Sequence, residues 1–130
     1  FDGKSIHFPE FKVKRTMRGM RDRYVHLSYL GQEAVRFWLN SEDPRLPKYQ
    51  NIDESIKVLA LHCHIDPTAL SVKTFRKTYE SWLIHMFPER TIAILQSTGH
   101  TENIATAHYI NLPFDDEDVL RMKKHVEGWQ

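Results

Sequence analysis

The stretch from Ser71 to Gly99 carries its own stop and start signals, and these limit the fold more than any other feature of the chain. Ser71 suits the N-cap of a helix holding Lys73, Arg76, Tyr79, Trp82 and Leu83, because a serine hydroxyl accepts from a first-turn amide that has no helical partner. Pro88 suits the first turn of a second helix running to about Ser97, where a missing N–H costs nothing. Gly99 suits the C′ position just past its end. Thr101 is placed to cap a further helix that holds Tyr109, with Glu102 favourable in its first turn. Asp115 caps a last helix to about Glu127, stopped by Gly128, with Phe114 and Val119 at the positions of a hydrophobic staple.

Upstream, residues 5–14 and 21–28 read as two strands, the first weakened by Pro9. Residues 15–20, with Gly19, form the turn between them. Residues 32–40 read as a short helix with Val35, Trp38 and Leu39 on one face. After a loop marked by Pro44 and Pro47, residues 53–65 read as a helix with Ile56, Leu59, Ala60 and Cys63 at helical spacing, ended by Asp66-Pro67. The expected fold is therefore mainly α with a small N-terminal β-hairpin. It divides into a hairpin over 5–28, a helical core over 32–112 and a tail helix over 115–127.

At 130 residues the chain holds one domain with a modest core. No apolar run approaches the ~20 residues of a membrane span, and the first residues lack the apolar segment of a signal peptide. Cys63 is the only cysteine, so no internal disulfide forms, in keeping with a reducing compartment. The charge is uneven. Residues 1–26 hold seven Lys or Arg against three Asp or Glu, while residues 111–130 hold three against five. A basic arm and an acidic tail fit a protein with one face on phosphate, and equally fit a solvated surface.

The chemistry-bearing residues lie between Lys73 and Tyr109. Lys73 and Arg76 stand three apart, on one face of a helix. Thr98-Gly99-His100 follows, and Tyr109 comes nine residues after the histidine. A tyrosine that opens a phosphodiester through a covalent intermediate needs fixed cationic donors around the phosphorus, because the transition state gathers negative charge on the non-bridging oxygens. An arginine fork grips two such oxygens at once.

These residues resemble the catalytic half of a tyrosine recombinase, the integrase type of DNA strand-exchange enzyme. That family shows His-x-x-Arg, then Leu-Gly-His, then the nucleophilic tyrosine nine residues on. Here Lys73 takes the histidine's place, as in some archaeal integrases, and Thr98 replaces the leucine. The resemblance implies that Tyr109 is the nucleophile, with Arg76, His100 and Lys73 as phosphate donors. It also implies that Lys14, in Phe11-Lys12-Val13-Lys14, is the hairpin lysine that protonates the leaving oxygen. Lys12 has the same strand parity and competes for that role. Arg15, Arg18, Arg21 and Arg23 are expected to contact backbone phosphates. The blander readings are a packed Tyr109, Arg76 paired with Glu80 at i,i+4, a helix-capping His100 and a solvated basic hairpin.

The family's first arginine, in a Gly-x-Arg motif, is expected upstream of Phe1. The 130 residues by themselves are therefore expected to cleave DNA weakly or not at all. What the resemblance implies is a virus- or plasmid-encoded integrase acting at double-stranded DNA attachment sites in the host cytoplasm as a tetramer on two duplexes, with no membrane association. No cofactor or metal is expected: His62, Cys63 and His64 are adjacent residues that do not face one ion on a helix. The rivals are a type IB topoisomerase or telomere resolvase of the same chemistry, and a basic DNA-binding module without catalysis. The acidic tail helix has two expected placements, on a neighbouring protomer or folded back on its own core.

Overall fold

A computed structural model describes residues 1–9, 22–99 and 113–129. Two short strands, β1 (Ser5–Phe8) and β2 (Arg23–His26), pair antiparallel, with Phe8 opposite Arg23 and Ser5 opposite His26. Five helices follow among the described residues: α1 (Tyr29–Leu39), α2 (Tyr49–His62), α3 (Val72–Met86), α4 (Thr91–Thr98) and α5 (Asp116–Val126). The protein is mainly helical with a small two-stranded sheet, as its sequence leads one to expect. No described helix is long and apolar enough to cross a membrane.

The caps read at Ser71, Asp115 and Gly99 are in place; that at Thr101 lies outside the described residues, and Pro88 opens a 3₁₀ turn over Pro88–Arg90 ahead of α4 rather than α4 itself. Ser71 and Thr74 form a capping box at the start of α3. Asp115 accepts from the Asp118 amide at 2.8 Å and Asp118 reaches back to the Asp115 amide, which closes the start of α5. Three carboxylates then occupy the first turn of α5 and Lys123, Lys124 and His125 its last, matching the helix dipole at both ends. Gly99 ends α4 in the left-handed region, with φ 73° and ψ 28°.

Helix starts nearer the N-terminus fall earlier than expected. α1 begins at Tyr29 because the Ser28 hydroxyl accepts from the Gly31 amide, so Ser28 caps a helix rather than ending a strand. α2 begins at Tyr49 and closes at His62, ahead of Asp66-Pro67, which instead opens a 3₁₀ turn over Pro67–Ala69.

The core is built from Leu83, Ile84 and Phe87 of α3 and its C-cap, Ile94 and Leu95 of α4, and Val126 and Trp129 at the C-terminal end. The Phe87 and Trp129 rings stack with centroids 5.9 Å apart. Of the two placements open to the tail helix, it takes the one on its own core: α5 lies against α3, with Met122, Val126 and Trp129 buried. The amide of Tyr29 donates to the Glu127 carbonyl at 2.8 Å, tying the start of α1 to the end of α5.

The faces that helical spacing groups together are covered only in part: Val35, Trp38 and Ile56 are half-buried. Leu39 of α1 is 46 % exposed and Leu59 of α2 is 63 % exposed, and Cys63 is exposed as well. The one buried residue of α1 is Gln32, whose amide donates to the Leu27 carbonyl at 3.1 Å. Ala60 alone is buried in α2. Helical spacing identifies a face, but a face is buried only where another element covers it.

Candidate phosphate-binding site at the end of α4

β2 lies against α4, and the strand's alternation decides which side chains face it. Tyr24 and His26 are exposed, whereas Arg23 and Val25 are half-buried. Arg23 therefore points to the inner side of the strand. Its guanidinium carbon lies 5.4 Å from the centre of the ring of Phe8, its cross-strand partner. His7 and Asp22 are hydrogen-bonded, and the His7 ring stacks on Tyr24 at 4.6 Å, so the strand is held on both sides of Arg23.

The far end of the Arg23 side chain reaches Gly99. A Cβ at that position would run into the Arg23 guanidinium, so the approach depends on glycine. Arg76 arrives from α3 and donates to the Thr98 carbonyl. Both guanidinium groups thus sit at the C-terminal end of α4. There, burial first and the charge of Arg76 second push the pKa of Arg23 down from its usual value. Among the described residues neither arginine takes part in a salt bridge, whereas Arg45 pairs with Asp43 and Arg121 with Glu117. The Nε of Arg23 is buried and has no hydrogen-bond partner among them.

Thr98, the last residue of α4, has a structural role. Its hydroxyl lies 3.0 Å from the Glu80 carboxylate and 3.0 Å from the Ile94 carbonyl. Glu80 is completely buried. The hydrogen bond from the Thr98 hydroxyl ties this carboxylate to the end of α4 and so anchors α3 against α4 through a polar contact. This is not the surface pairing of Arg76 with Glu80 that helical spacing also allowed, since Arg76 donates to a carbonyl of α4.

The structure thus brings together Arg76, Arg23 and the Thr98-Gly99 pair that precedes His100. Lys73 is exposed one turn before Arg76 on α3. His100, Tyr109, Lys12, Lys14, Arg15, Arg18 and Arg21 lie outside the described residues. Two participants escaped the sequence reading as members of the site: Glu80, and Arg23 in a central rather than peripheral position. Strand parity held the signal for the second, because Arg23 alternates with Val25 and Leu27 and so shares their inward side. No protein-family model, no curated protein and no solved structure matches this chain.

Proposed function

We propose that this chain is the C-terminal part of a tyrosine recombinase catalytic domain, which cuts and rejoins double-stranded DNA through a 3′-phosphotyrosyl intermediate. One observation carries the reading. The helix of Lys73 and Arg76 and the Thr98-Gly99 pair, well separated in sequence, meet where Arg76 donates to the Thr98 carbonyl. An arginine beside the residue that leads into His100 is what a shared phosphate site requires, and a solvated helix face does not require it.

In this reading the Tyr109 oxygen attacks the scissile phosphorus and the bond to the 5′ oxygen breaks. The phenol gives its proton to solvent water and the departing 5′ oxygen takes one from Lys14 or Lys12, which solvent then reprotonates, so the proton count closes. Arg76, His100 and Lys73 stabilise the charge on the non-bridging oxygens. Rejoining runs the same step backwards with the 5′-hydroxyl of another strand. The active assembly is a tetramer on two duplexes.

The test is covalent trapping by the full-length protein on a duplex nicked near the cleavage point, read on a denaturing gel. The wild type should form a DNA adduct. Tyr109→Phe should abolish it with duplex affinity nearly unchanged, because the phenol oxygen adds nothing to non-specific phosphate binding. An adduct that persists in the Phe variant removes Tyr109 from the chemistry, and a wild type that binds but never traps is a DNA-binding module.

A further inference from the structure

We infer that Arg23 and Arg76 form a two-guanidinium clamp for one phosphodiester, with Gly99 as its floor, and that Arg23 is a further catalytic donor rather than a peripheral backbone contact. The catalytic part of this statement rests on the recombinase reading; the anion site itself rests on geometry.

Three observations carry the clamp. First, the two side chains come from different elements, β2 and α3, and converge on consecutive residues, Thr98 and Gly99. Second, both are braced. Arg23 lies over the Phe8 ring and against a glycine that leaves room for it, while Arg76 spends one of its five N–H donors on the Thr98 carbonyl. Among the described residues the buried Nε of Arg23 has no hydrogen-bond partner, and a buried N–H needs one.

Third, the charges do not cancel. Among the described residues Arg23 and Arg76 bring two positive charges to this spot, against one carboxylate, Glu80, held by Thr98, and about half a negative charge from the helix C-terminus. Arg23 is half-buried and Arg76 exposed, and like charges held close together raise the free energy unless an anion joins them. A phosphodiester carries one negative charge on two equivalent non-bridging oxygens, which suits two guanidinium forks.

The test has two arms. In the first, the arginine Nε–H resonances of the 130-residue chain are followed by NMR during titration with inorganic phosphate. The signals of Arg23 and Arg76 should move together and saturate with one Kd, while that of Arg45, already paired with Asp43, should not. Arg23→Ala should weaken phosphate binding by at least ~10-fold. Arg23→Lys should not restore it, because an ammonium lacks the planar fork. Independent or non-saturating shifts of the two arginines overturn the clamp, and this readout on the wild type needs no variant to fold.

In the second arm, Arg23→Ala and Arg23→Lys are compared in the trapping assay of the full-length protein. Loss of one preorganised donor should slow adduct formation by ~100- to 1,000-fold, with duplex affinity changing far less. Trapping at the wild-type rate by Arg23→Ala overturns the catalytic role and leaves the recombinase reading intact. Saturable phosphate binding at both arginines in a protein that never traps DNA supports the anion site and overturns its assignment to strand cleavage.

Discussion

Gly99→Ala separates backbone strain from site assembly. At φ 73° an alanine sits in the left-handed region, which costs an L-residue about 1–2 kcal/mol. Part of that is offset, because alanine also reduces the freedom of the unfolded chain by about 0.4–1 kcal/mol. The net loss of stability should be about 1 kcal/mol. The new Cβ also collides with the Arg23 guanidinium. The colliding atom is the far end of a flexible side chain, so Arg23 should swing away at little energetic cost. Stability and ligand binding should therefore respond differently. Urea unfolding followed by tryptophan fluorescence, to which the buried Trp129 contributes, should show the ~1 kcal/mol loss both in the wild type and on an Arg23→Ala background, additive to within about 0.5 kcal/mol. Phosphate affinity should fall as far in Gly99→Ala as in Arg23→Ala, and not further in the double variant. If Gly99→Ala bound phosphate like the wild type, the clamp would not depend on Gly99 and the contact argued above would be wrong. Strong non-additivity in stability would show instead that the guanidinium is locked in place and not free to move.

Three further outcomes are expected. Truncation after Leu112 removes Met122, Val126 and Trp129, all buried. At roughly 1.5–3 kcal/mol for each large apolar side chain, the loss of about 5–9 kcal/mol rivals the whole stability of a small domain, so the shortened chain should show no cooperative thermal transition; a folded, cooperative truncate would place the core elsewhere. Asp53 joins α2 to the start of α3, pairing with Lys57 at 2.9 Å and accepting from the Val72 amide at 3.2 Å. The hydrogen bond from Lys57, and then that from Val72, hold its carboxyl below the usual carboxylate range. A depressed pKa adds stability above the unfolded value of about 3.9 and loses it as pH falls through the folded value. The stability gap between wild type and Asp53→Ala should thus be steady near neutrality and close below about pH 4, and a gap that widened on acidification would contradict the pairing. Finally, EDTA should leave covalent trapping by the full-length protein unchanged, because the donors assigned to the phosphate are lysine, arginine and histidine; loss of trapping restored by magnesium would point to a metal-dependent nuclease.

What the amino-acid sequence determines by itself is the set of features settled within four residues of a point on the chain. Ser71, Asp115 and Gly99 mark helix ends because a cap satisfies amides or carbonyls of its own turn, and the same local physics applies whatever lies around it. The mainly helical character with a small hairpin follows from those signals, and so does the alignment of Lys73 with Arg76 on one face of α3. Burial is different, because it depends on a partner that local sequence does not specify. The apolar residues of α1 and α2 have the spacing of core faces, yet Leu39 and Leu59 remain exposed, while the tail helix, rich in charge, supplies Met122 and Val126 to the core. The site divides along the same line. Arg76 and the Thr98-Gly99 pair are recognisable in sequence, but Arg23 becomes their neighbour only because β2 packs on α4 and its pleat turns that side chain inward. Glu80 could be read as one more exposed helix carboxylate until α4 closed over it and the Thr98 hydroxyl came within 3.0 Å. Tertiary packing decided both, because proximity between residues far apart in the chain depends on how whole elements cover one another.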